Sequence, residues 1–200
     1  PALRALAQAA LLARLSRQLL AAHQIHLDVR GPRPRGPVLV AANHLGYFDP
    51  LVLAALVPGL PVAKQEAASW PLLGEAMRQL GVLFVARGEP ASGAAVIRQT
   101  ARLLRGGTSV LGFPEGTTSY GDGVLPLRHG LFVAARAAGV PVVPVALRYD
   151  RRDTCWVGDD PFVPHYLALS RRERIDVRVT FGPALDAAAF PDAATLARAT

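Results

Sequence analysis

Cysteine is almost missing from these 200 residues: Cys155 stands alone, which excludes an internal disulfide and a cysteine-built metal site. The TCW around it contains no histidine, which argues against an activated thiol nucleophile. Also missing is any apolar run of the roughly 18 or more residues that a bilayer-spanning helix needs. Residues 51–63 come nearest and are interrupted by Pro58, Gly59 and Pro61. The chain starts at Pro1 and not at a methionine, so whether a targeting or anchoring segment precedes it stays open. Neither G-x-G-x-x-G nor G-x-x-x-x-G-K-[ST] occurs, which weighs against a nucleotide-binding enzyme. No G-x-S-x-G elbow is found, so no serine triad is expected.

What is present fits one folded unit with a sizeable core: 51% of residues are hydrophobic and 18% are charged. The net charge of +7 comes almost wholly from arginine, with local groups at Arg98, Arg102 and Arg105, at Arg148, Arg151 and Arg152, and at Arg171, Arg172 and Arg174. Such a balance favours anionic partners, among them an acidic membrane surface or phosphorylated substrates, against the alternative of a merely solvated surface. Nucleic acid is not the expected partner, because the basic residues are not interleaved with aromatics and no helix-turn-helix is visible.

Residues 3–22 read as a helix of modest amphipathicity and 25–30 as an alternating, half-exposed strand, followed by the GPRPRGP loop at 31–37. Short apolar, β-branched stretches then recur at 38–42, 82–86, 109–113 and 142–147, with helical patterns near 49–57, 65–80, 91–105 and 130–138. Buried strands alternating with helices predict an α/β fold, a single domain with a largely parallel central sheet flanked by helices. Residues 174–182 add a further strand, and Pro144 points to an edge or bulged one. Residues 1–30 are set apart as an N-terminal helix and first strand, a candidate membrane-proximal piece, and 31–200 as one continuous domain.

In open α/β sheets ligands gather beyond the carboxyl ends of the strands. The residues there are Asn43 and His44, Arg87, and the turn Pro114, Glu115, Gly116, Thr117. His44 is followed five positions later by Asp49, but His23 and Asp28 repeat that spacing, so spacing alone is weak. Context separates the pairs: Asp28 shares the polar face of a strand with His26 and Arg30, whereas His44 leaves a buried strand and Gly46 lets the chain fold Asp49 back to the imidazole. An aspartate on one ring nitrogen would fix the tautomer while the other nitrogen takes a proton from a substrate hydroxyl. The competing reading is a strand-end histidine held for structure. Arg87 suits capture of a phosphate or carboxylate, or a surface pair with Glu89. Glu115 sits in a tight turn whose N–H groups can face an anion, unless Thr117 simply caps a helix.

Taken in order, NHLGYFD (43–49), GVLFVAR (81–87), FPEGTTS (113–119) and VPVVPV (140–145) resemble the four sequence blocks of the glycerolipid acyltransferase family typified by 1-acylglycerol-3-phosphate acyltransferase. The resemblance covers about residues 38–147, more than half the chain. It implies that His44 is the general base and Asp49 its orienting partner. Arg87 would hold the acceptor's phosphate, and Glu115, Gly116 and Thr117 would shape the acceptor pocket. It implies transfer of a fatty acyl group from acyl-coenzyme A or acyl carrier protein to a lysolipid hydroxyl at the cytoplasmic face of a membrane, with no metal or bound cofactor. The family's commonest third block carries an arginine where this chain has Thr118, and FPEGTTS with the segment 156–165 is similar to a branch that acylates lyso-ornithine lipid. The expected acceptor is 1-acylglycerol-3-phosphate, with lyso-ornithine lipid or another lysolipid as the alternative and an inactive lipid-binding relative as the non-enzymatic one.

Overall fold

A computed structural model describes residues 1–86 and 88–200. Seven strands form one sheet in the order β1-β7-β6-β2-β5-β3-β4: β1 (Ile25–Arg30), β2 (Leu39–Ala42), β3 (Gly59–Lys64), β4 (Leu83–Val85), β5 (Ser109–Gly112), β6 (Val142–Tyr149) and β7 (Ile175–Phe181). Five strands, from β6 to β4, run parallel; β7 joins β6 antiparallel and β1 joins β7 parallel. The largely parallel α/β sheet is therefore as expected. Strands β2 and β5 are buried at every residue, because helices cover both faces.

The helices are α1 (Ala2–Ala22), α2 (Asp49–Leu56), α3 (Leu73–Gln79), α4 (Pro90–Arg105), α5 (Gly130–Ala138), α6 (Phe162–Ser170) and α7 (Ala193–Ala199). Helix α1 buries Ala5, Ala9, Leu12, Ala13 and Leu20 and exposes Leu3, Leu6, Leu11 and Leu19, so its apolar residues point both ways. No helix among the described residues is long and apolar enough to cross a membrane.

Three expectations need correction. Pro144 lies in an interior strand, paired through β6 with Ala41. Its carbonyl accepts from Gly182 N at 2.9 Å, on the side where β7 is ending, so its missing N–H falls where no ladder partner is needed. The stretch 58–61 is not a simple breaker: Gly59 and Pro61 open β3, and a Cβ on Gly59 would stand 2.9 Å from Ser109 O, so the glycine permits close strand approach. The helix expected over 65–80 is split into a 3-10 turn (Gln65–Ser69) and α3, with Pro71 between them and Leu72 at φ 60°.

Candidate active site

The carboxyl ends of β2, β5 and β6 converge on one edge of the sheet, and side chains there fix the exit of the chain. Asn43 continues the β2–β6 ladder with its side chain, donating Nδ2 to Leu147 O at 3.0 Å and accepting from Leu147 N at 2.7 Å. An amide thus imitates a peptide group one residue beyond the last strand pair, Ala42 with Val145. It aims His44 out of the sheet.

His44 Nδ1 donates to Asp49 Oδ2 at 2.8 Å. The same oxygen accepts from Leu45 N at 2.5 Å and Gly46 N at 2.8 Å, and Oδ1 accepts from the Tyr149 hydroxyl at 2.7 Å. Asp49 is fully buried, and an unpartnered carboxylate there would be very costly, so four donors around it define its place. An oxygen surrounded by donors requires the proton to sit on Nδ1, leaving Nε2 as the acceptor nitrogen. Burial, then the charge of Asp49, pushes the Tyr149 phenol well above its usual range, so it remains a donor. Asp49 also opens α2, where the helix N-terminus favours a negative charge.

Gly46 serves this loop by close approach, since a Cβ there would come 3.3 Å from Trp156 N while Trp156 N donates to Leu45 O at 2.8 Å. The imidazole lies against Phe113 at the end of β5, ring centroids 4.1 Å apart and 22° from parallel. Stacking from one side and Asp49 from another leave the ring little freedom.

Glu115 lies just behind. It is 5% exposed, and its two oxygens accept from His44 N at 3.1 Å and Leu125 N at 3.0 Å. Its carboxylate thus ties the histidine loop to the long segment between β5 and α5. That segment closes further through Ser119 N to His44 O at 2.8 Å and Arg128 N to Pro114 O at 2.8 Å. Thr117 caps no helix, because α5 begins only at Gly130. It is exposed, at the rim of a cavity it shares with Gly116 and Thr118. Gly116 has φ +70°, where glycine is favoured. Arg87 lies outside the described residues.

The cavity in front of His44 has a volume of about 1050 Å³, at the upper end of the roughly 300–1,000 Å³ usual for small-molecule sites. Its walls are largely apolar, with Leu12, Leu15 and Leu19 from α1 and Ala76 and Met77 from α3, and its polar lining includes Lys64, Glu89, Thr117, Thr118 and Arg128 beside His44. Lys64, the single lysine of the chain, ends β3 with its ammonium 5.6 Å from the Trp156 ring centroid. No local pattern marks it, because Gly59 and Pro61 hide the strand it ends. Among the described residues no cluster of three or more His, Cys, Asp or Glu is placed to hold a metal.

The second histidine–aspartate pair comes apart. His23 bonds to Leu19 O and the Tyr166 hydroxyl, whereas Asp28 pairs with Arg30 and Arg178. His23 is half-buried and lines the same cavity. Cys155 is buried, and burial raises its thiol to about 11, so it is no nucleophile at neutral pH.

The acyltransferase family model matches residues 24–148. The 1-acyl-sn-glycerol-3-phosphate acyltransferase of Neisseria meningitidis serogroup B is 42% identical over 137 residues, covering 68% of this chain and 54% of that protein. The lyso-ornithine lipid O-acyltransferase of Pseudomonas aeruginosa is 37% identical over 168 residues, covering 81% of this chain and 64% of that protein. The chain therefore spans little more than half to two thirds of these relatives. The crystal structure of the 1-acyl-sn-glycerophosphate acyltransferase from Thermotoga maritima superposes with a TM-score of 0.69 at 21% identity, covering 96% of this chain and 74% of that one, and so shares its fold. With 125 of 200 residues inside the family match, this chain belongs to the acyltransferase family.

Proposed function

We propose that this chain is a lysolipid O-acyltransferase in which His44 is the general base and Asp49 holds it. The observation that carries the reading is the His44–Asp49 bond at 2.8 Å, built on a fully buried carboxylate at the mouth of a large apolar cavity. Nε2 takes the proton of the lysolipid hydroxyl as its oxygen attacks the carbonyl of the acyl thioester. The new C–O ester bond forms, the C–S bond breaks, and the imidazolium returns its proton to the leaving thiolate of coenzyme A or acyl carrier protein. Ester and free thiol are the products. The aliphatic walls suit the acyl chain, while Lys64, Arg128 and the Thr117–Thr118 rim suit a polar headgroup. In this reading Glu115 positions His44 through its main chain and does not touch the acceptor.

1-Acylglycerol-3-phosphate is the first acceptor, which would make phosphatidic acid the product. Lyso-ornithine lipid is the second, favoured by Thr118 and by the Pseudomonas relative matching over 81% of the chain. The outward leucines of α1 and the arginine-rich surface support work at an anionic membrane face. Thiol release from oleoyl-coenzyme A, or from the acyl carrier protein thioester, is expected to require one of the two lysolipids. No lysolipid-dependent release with either donor would leave an inactive lipid-binding protein and sink the proposal.

Tyr149 has a role of its own here. Among the described residues its hydroxyl bonds only to Asp49, so Tyr149→Phe is expected to lower kcat about tenfold while KM stays within about twofold. An unchanged kcat would show that the phenol supports the fold alone.

A further inference from the structure

Several arginines already have acids: Arg30 and Arg178 share Asp28, Arg151 and Arg172 share Asp153, Arg152 holds Asp122 and Arg174 holds Asp176. Others, Arg148 and Arg171 among them, make no ion pair with a described residue, but among the described residues only Arg128 is an arginine of the cavity lining. Arg128 makes no ion pair with any carboxylate among the described residues, yet it lies on the wall of the cavity that holds His44, Thr117 and Thr118. Its course is set from two sides. The main chain is anchored by Arg128 N to Pro114 O at 2.8 Å, and the side chain runs over Gly116, so that a Cβ on the glycine would stand 2.5 Å from Nε and 3.0 Å from Cδ. A glycine with φ +70° therefore also clears the path of a guanidinium.

We infer that Arg128 is a specificity-determining residue that holds the anionic headgroup of the acceptor, a phosphate or a carboxylate; the inference rests on the lysolipid acyltransferase reading. The turn carries no cation of its own at Thr118. Arg128 approaches the same turn from ten residues further along the chain and brings a planar donor fork to it. Lys64 is a less suitable holder because its ammonium already faces the Trp156 ring.

Two readouts test this. In steady-state acylation, Arg128→Ala is expected to raise the KM of the accepted lysolipid about tenfold or more with kcat within about twofold, and Arg128→Lys to fall between. Comparison of lysophosphatidic acid with lyso-ornithine lipid tells phosphate from carboxylate as the group held. Binding of the same lysolipids to His44→Ala protein, followed by fluorescence of Trp70 and Trp156 in the cavity wall, reads affinity without turnover. Weaker binding in His44→Ala/Arg128→Ala supports the role of Arg128 even if acyl transfer itself is not seen. Turnover or binding with unchanged KM and Kd in the Arg128 variants overturns it and leaves the acyltransferase reading standing. Wild-type protein that neither binds nor acylates either lysolipid overturns both.

Discussion

Alanine in place of His44 is expected to lower kcat for lysolipid-dependent thiol release by roughly 10²–10⁴-fold, the usual contribution of a positioned general base. The loss should fall on kcat and not on the KM of the acceptor, because the imidazole acts on the hydroxyl proton and the cavity walls do the binding. Stability should change little. Removing the ring takes one donor from Asp49 Oδ2, but Leu45 N, Gly46 N and the Tyr149 hydroxyl remain. The 20% exposed side chain also contributes little core volume beyond its contact with Phe113. Thermal unfolding of His44→Ala within a few degrees of the parent, with turnover gone, would locate the effect in the chemistry. A rate within about tenfold of the parent would remove His44 from the mechanism.

How far this site could be read from sequence depends on the range of each contact. His44 and Asp49 are five residues apart, so a strand end, a glycine and an acid are enough to predict their contact. The false pair, His23 with Asp28, was separable because Asp28 lies on the polar face of an alternating strand. The partners that complete the arrangement are distant: Glu115 is 71 residues from His44, Leu147 is 104 from Asn43, and Tyr149 is 100 from Asp49. Those contacts follow from the β2–β6 and β2–β5 registers, which no local pattern encodes. The same division runs through the fold. Buried strands such as β5 and helices such as α5 were legible from apolar runs and periodicity. Strand β3 was hidden by Gly59 and Pro61, and α6 by Pro164 inside FVPHYLALS, because residues that break local patterns were tolerated where tertiary packing overrode propensity. The antiparallel turn of β7 onto β6 likewise leaves no mark in an alternating strand.

Asp49 allows charge and structure to be tested apart. Among the described residues Oδ2 faces three donors, from Leu45, Gly46 and the ring of His44, while Oδ1 faces only the hydroxyl of Tyr149. An asparagine can place its carbonyl where Oδ2 stands and its NH₂ towards Tyr149, whose hydroxyl can rotate to accept. Asp49→Asn should therefore keep the loop and most of the stability, yet lose the negative charge that stabilises the imidazolium, and kcat is expected to fall about 10²–10⁴-fold with KM for the acceptor largely kept. Asp49→Ala differs: two buried main-chain N–H groups, an imidazole and a phenol lose their common acceptor at once. A loss of roughly 3 kcal/mol or more in unfolding free energy is expected, with catalysis abolished by displacement of His44. The pair of variants decides between readings of the His44–Asp49 contact. If Asp49→Asn retains full turnover, the aspartate is a loop anchor and His44 works without its charge. If Asp49→Asn unfolds as readily as Asp49→Ala, the carboxylate is required for folding and its catalytic share must be measured at lower temperature. An inactive, stable asparagine variant beside an unstable alanine variant would assign both jobs to one side chain.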